Sequence, residues 1–132
     1  MKVTKRLLIS LVAIFALTAV AGCTRTQQDY KPRALGAQST PTLEAVTGAV
    51  LRAGKLQSWR MTVVRPGLIE AMNEWGGGKH NVVVNVIYST TDYSIKYVSS
   101  KNLKKGDGTI HRAYNRVVTQ LYDQIRAETQ KL

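Results

Sequence analysis

The run HNVVVNVIY (80–88), the turn STTD (89–92) and the returning run YSIKYVS (93–99) decide the fold. Both runs are rich in Val, Ile and Tyr and alternate in polarity, which is the period-two signature of strands. Closing the hairpin with Tyr88 opposite Tyr93 sets Val86 beside Ile95 and Val84 beside Tyr97. Aromatic and β-branched pairs then gather on one inner face. A one-residue slip would invert every side chain, so this register is strongly specified. The outer face would carry Val83 beside Val98, Asn85 beside Lys96 and Ile87 beside Ser94, more apolar than a bare solvent face needs.

Upstream, Trp59–Val64 and Leu68–Trp75 read as a second hairpin around Arg65-Pro66-Gly67. A three-residue loop with Gly67 in the left-handed position puts Trp59, Met61, Val63, Ile69 and Ala71 on one face. A two-residue Pro-Gly turn would mix apolar and charged residues on both faces. Gly76-Gly77-Gly78-Lys79 connects the hairpins.

Two helices flank these strands. The first has Thr40 as N-cap, Pro41 in its first turn, a stripe of Leu43, Val46, Val50 and Ala53, and Gly54 as C-cap. The second runs from about Thr109 to Thr129 on Ile110, Tyr114, Val117, Val118, Leu121, Tyr122 and Ile125. The expectation is an α+β two-layer sandwich, α-β-β-β-β-α, over residues 40–132.

The first 39 residues read differently. A basic start (Lys2, Lys5, Arg6) leads into the apolar run Leu7–Val20, shorter than the ~20 residues a spanning helix needs. It ends in Val20-Ala21-Gly22-Cys23, which resembles a bacterial lipobox. That resemblance implies a signal peptide over 1–22, cleavage between Gly22 and Cys23, and a lipid on Cys23. Two or more acyl chains anchor stably where one does not. Thr24 follows the cysteine, and by the same resemblance the address is the outer membrane, with the domain facing the periplasm. Residues 23–39 lack periodicity and read as a flexible tether.

Charge and cysteine content limit the chemistry. Three of the 19 basic residues lie in the leader, and the 16 that remain against 8 acidic ones leave +8, an excess that favours anionic partners. Cys23 is the only cysteine, so no intrachain disulfide and no cysteine-based zinc site can form. The glycine run before Lys79 fails as a phosphate-binding loop, because His80 follows where Ser or Thr is needed and a strand follows where a helix is needed. Gly106-Asp107-Gly108 lacks the further acids of a calcium loop.

The densest polar and aromatic cluster is His111, Arg112, Tyr114, Asn115 and Arg116, beside the basic loop with Lys101, Lys104 and Lys105. A general base needs a partner to orient it, and no neighbour of His111 in sequence supplies one. Two histidines without a carboxylate are a poor metal site. Neither a catalytic residue nor a metal or cofactor is expected. Lys101, Lys104, Lys105, His111, Arg112, Asn115 and Arg116 form instead a candidate ligand or partner surface. Nucleic acid is not expected, since Tyr88, Tyr93 and Tyr97 point inward and the envelope lacks that substrate.

YSIKYVSSKNLK (93–104) and IHRAYN (110–115), with Trp59 and the lipobox, resemble a family of small, largely uncharacterised proteobacterial lipoproteins. The resemblance implies no activity, ligand or catalytic residue. In form the chain is also loosely similar to small accessory lipoproteins of the outer-membrane assembly machinery. The expected function is a non-enzymatic binding or scaffold module of the envelope, with an envelope protein, peptidoglycan, anionic lipid or lipopolysaccharide as partner. The alternatives are an envelope hydrolase or lipid- or glycan-modifying enzyme using His111, and a structural lipoprotein that binds peptidoglycan.

Overall fold

A computed structural model describes residues 29–103 and 112–132. Gly22, Cys23, Lys104, Lys105 and His111, and with them the leader and the lipidation point, lie outside the described residues. The elements are β1 (Tyr30–Ala34), α1 (Leu43–Leu56), β2 (Arg60–Arg65), β3 (Leu68–Trp75), β4 (His80–Tyr88), β5 (Asp92–Lys101) and α2 (Arg112–Thr129). The strands form one antiparallel sheet in the order β1-β5-β4-β3-β2. The class is α+β, with five strands rather than the expected four.

The β4–β5 hairpin has the register that its alternation dictates. Tyr88 faces Tyr93, Val86 faces Ile95 and Val84 faces Tyr97. Val82, Val84, Val86, Tyr88, Tyr93 and Ile95 are buried on the inner face, joined there by Ile69 and Ala71 of β3. One outer pair differs from expectation. The register shifts between Val83 and Val84, so Val83 pairs with Ser99, and Val98 is the extra residue of a bulge.

The β2–β3 hairpin combines the two turns weighed for it. Met61 faces Ala71 and Val63 faces Ile69, as the three-residue loop demands, but Arg65 pairs directly with Leu68. The connection is therefore a tight Pro66-Gly67 turn, and a bulge at Val64 restores the register. Gly67 holds φ +89, the left-handed conformation for which glycine is the default.

The two helices pack antiparallel on the inner face. Arg52 bonds Glu128 and Gln57 bonds Gln124 across them, while Thr47 bonds the Tyr88 hydroxyl. Val46, Ala49, Val50 and Ala53 of α1 and Ala113, Tyr114, Val118, Leu121 and Ile125 of α2 complete the core. The α1 cap lies two residues later than expected: Thr42 accepts from the Ala45 amide, and Pro41 precedes the cap.

Gly54 does not end α1, which continues to Leu56 and is capped by Gln57. Its reason is packing. A Cβ at Gly54 would lie 2.2 Å from Met61 Sδ, and the Trp59 amide donates to the Gly54 carbonyl at 2.8 Å. The bare backbone lets β2 fold straight back over the helix end.

β1 corrects the expected tether, since residues 30–34 are a strand and Leu35 is buried. One face of the segment carries Tyr30, whose hydroxyl lies 2.8 Å from Thr119 Oγ1 and 3.3 Å from Asn115 Oδ1. Arg33 bonds Asp123 at 2.8 Å, and Thr129 Oγ1 donates to the Leu35 carbonyl at 2.7 Å. Pro32 falls within the register shift between Tyr30 and Arg33. It also lies on an edge strand, where a missing N–H is tolerated.

Two predictions concern stability. Gly54→Ala costs about 1 kcal/mol while Met61 is present, because the displaced thioether outweighs the gain in helix propensity. In a Met61→Ala background the same change becomes neutral or stabilising, read as a double-mutant cycle on urea midpoints. The second concerns Glu128, which is 3 % exposed and accepts from Lys131, Arg52 and Gln124. The Lys131 hydrogen bond, helped by Arg52, holds this carboxyl below its usual range. A lowered folded-state pKa gives stability above the unfolded value that is lost as pH falls through the folded one. Glu128→Gln therefore destabilises by about 1 kcal/mol near neutrality, its partners being solvent-exposed. The deficit shrinks as pH falls through the lowered folded-state pKa in acid titrations of the unfolding midpoint.

Candidate binding surface

Of the expected surface residues, the described ones divide between solvent and interior. Lys101 is exposed at the end of β5, and Arg112 and Arg116 are exposed one turn apart on α2. Asn115 turns inward, its carbonyl and Oδ1 both within reach of the Tyr30 hydroxyl. It belongs to the clamp on β1. His80 begins β4, half-buried and stacked on Trp75 at 5.5 Å. Among the described residues its Nδ1 has no hydrogen-bond partner, so none of their carboxylates orients it as a base through that atom. Among the described residues no three His, Cys, Asp or Glu side chains gather as a metal site.

A tyrosine cluster joins β1, β5 and α2. Tyr122 meets Tyr30 and Tyr93, each at 5.2 Å, while Tyr97 meets Tyr114 edge-on at 5.6 Å. The Tyr93 hydroxyl donates to the Tyr122 carbonyl at 2.6 Å, and the Arg33 guanidinium lies 5.1 Å from the Tyr122 ring centre. Burial pushes Tyr93 up to about 12, and burial likewise raises Tyr30 and Tyr114. These phenols are neutral structural groups at any physiological pH.

The open surface lies on the other side of the sheet. The core contacts place both helices on the inner face, leaving two apolar outer-face rows, Leu68 with Ile87 and Met72 with Val83. Ile87 is 44 % exposed and Val98 45 %. Hydrophilic partners separate these rows, with Glu70 beside Asn85 and Asn85 beside Lys96.

β2 forms the sheet edge next to this face, with Val63 46 % and Val64 56 % exposed. An apolar groove of about 320 Å³, lined by Leu43, Glu44, Thr47, Val63 and Pro66, lies at one end of the strand. A depression of about 370 Å³, lined by Lys55, Ser58, Trp59, Arg60, Met72 and Glu74, lies at the other. Sequence alternation pointed to Ile87 and Val98 on the outer face. It missed the grooves, because they depend on where α1 starts and stops relative to β2. No protein-family model matches the chain, and a search of curated proteins finds none similar to it.

The tyrosine cluster sets an alkaline limit. A folded-state pKa raised above the unfolded value gives stability that is complete below about pH 10 and is lost as pH rises through the folded one. Urea midpoints should therefore fall between about pH 10 and pH 12, and Tyr93→Phe should make that fall shallower.

Proposed function

We propose that the chain is a lipoprotein anchored at the outer membrane through Cys23, and that its domain is a non-enzymatic module binding an envelope protein. The observation that carries this reading is the uncovered sheet face with its open edge. Leu68 with Ile87 and Met72 with Val83 flank the Glu70–Asn85 pair there, and Val63 and Val64 are exposed on β2 beside an apolar groove. Ile87 and Val98 on the face and Val63 and Val64 on the edge are large apolar side chains left exposed together with an apolar groove, a combination that suits an interaction site. An open edge also offers main-chain groups to an added strand. The lipobox resemblance and the likeness to small proteobacterial lipoproteins belong to the same proposal.

The test pairs two substitutions in intact cells. Cys23→Ala should release a folded protein from the membrane fraction. A photo-crosslinking residue at Ile87 or Val64 should give a discrete protein adduct, while the same residue at Gln120, exposed on α2, gives none. Membrane retention of the Cys23→Ala protein would remove the anchor. Equal adducts at all three positions, or none at any, would remove the binding face.

A further inference from the structure

The antiparallel topology brings one end of every strand and helix together. The β5 terminus at Lys101 pairs with Asn81 at the start of β4, and His80 pairs with Trp75 at the end of β3. Lys79 lies in the connecting turn, where Asn102 Nδ2 donates to its carbonyl. Arg60 begins β2 opposite Met72 and shares its depression with Lys55 from the last turn of α1. α2 starts at this end with Arg112, and Tyr114 meets Tyr97. Lys55, Arg60, Lys79, Lys101, Arg112 and Arg116 thus lie toward one end of the domain, with Glu74 beside Lys55 and Arg60.

Elsewhere the cations are mostly occupied. Arg33 is paired with Asp123, Arg52 and Lys131 with Glu128, and Lys96 with Asp29. Arg126 donates to the Ala34 carbonyl. Among the described residues none of the six end cations has an acidic partner within ion-pair distance.

The chain also enters the domain toward this end. β1 runs antiparallel to β5, so its start points toward the Lys101 end, and Asp29 accepts from the Tyr97 amide. Cys23 is six residues before Asp29, a span of at most about 21 Å. The stretch of β5 from Tyr97 to Lys101 covers about 13 Å of that. A lipid on Cys23 would hold the bilayer surface close to the cationic end.

We propose that this end of the domain is a docking face for an anionic phospholipid surface, with the six cations set against headgroup phosphates. The inference rests on the anchored reading for its setting, but its charge can be tested without the lipid. Basic residues at a membrane surface act within a Debye length, which the short reach from Cys23 satisfies. In this orientation the strands rise from the membrane, and the outer sheet face looks sideways into the periplasm.

The experiment uses the full chain with vesicles of phosphatidylglycerol or of phosphatidylcholine, each containing nitroxide-labelled headgroups. Flotation scores attachment, and fluorophores at Ser99→Cys or Thr91→Cys score orientation. On phosphatidylglycerol, quenching at position 99 should exceed that at position 91 several-fold. The difference should collapse in about 1 M salt, where screening shortens to about 3 Å. Arg60→Glu with Lys101→Glu and Arg112→Glu should abolish it, and should weaken any attachment that does not depend on the lipid by on the order of 100-fold. Arg65→Glu should leave both unchanged. Loss of flotation on phosphatidylcholine alone would remove the anchor and leave the docking face standing. Equal quenching at the two positions on phosphatidylglycerol, an undiminished difference in high salt, or an unaffected triple variant would overturn the docking face.

Discussion

The structure depends on the inner face of the β4–β5 hairpin. Val82, Val84 and Val86 alternate on β4 beside Tyr93 and Ile95 of β5 in one core, Val86 directly opposite Ile95, with all five side chains fully buried. Because side chains alternate with a period of two, that one register commits every other element. β3 must present Ile69 and Ala71 to the same side, and both helices must cover that side with their apolar stripes. Two helices suffice for one face of a sheet this size. The other face is left open, so the candidate surface follows from how the core is filled.

Strong alternation is therefore legible in the sequence alone. The residue pairs Tyr88–Tyr93, Val86–Ile95, Met61–Ala71 and Val63–Ile69 follow from the sequence pattern and hold in the structure. What was not legible is local and depends on backbone detail. Bulges at Val64 and near Val98 insert one residue each, and no hydrophobic pattern marks the place of an insertion. Gly54 looked like a helix end because glycine commonly is one. Its real constraint is a close approach by Met61, visible only once β2 returns against α1.

β1 was illegible for a deeper reason. Tyr-Lys-Pro-Arg-Ala buries one side chain and shows no repeat. The strand owes its place to groups more than 80 residues away: Thr119 and Asn115 on Tyr30, Asp123 on Arg33, and Thr129 on Leu35. Each net hydrogen bond contributes about 1 kcal/mol, too little alone to order a segment that loses about 1–2 kcal/mol per residue of backbone entropy. Several acting together, with the buried tyrosine ring and Leu35, offset that cost. The candidate surface divided for the same reason. Asn115 looked like part of a ligand cluster, yet its partner Tyr30 lay in the stretch read as tether.

Moving the domain boundary back toward Asp29 changes what an anchor at Cys23 would do. A tether of 16 residues would let the domain tumble above the membrane, and surface charge would then act only on average. A link of six residues limits which end can approach, because its contour of at most about 21 Å is shorter than the ten-residue β5, about 30 Å long. Charge asymmetry then matters, since several cations elsewhere are engaged in ion pairs while, among the described residues, Lys101, Arg112 and Arg116 have no acidic partner within ion-pair distance. Orientation in turn bears on binding. A sheet edge held at a fixed height and angle meets a partner already confined in rotation, which lowers the ordering cost that association must overcome. Anchor length, charged end and open sheet face would act as one arrangement, with β1 as the piece that ties them together.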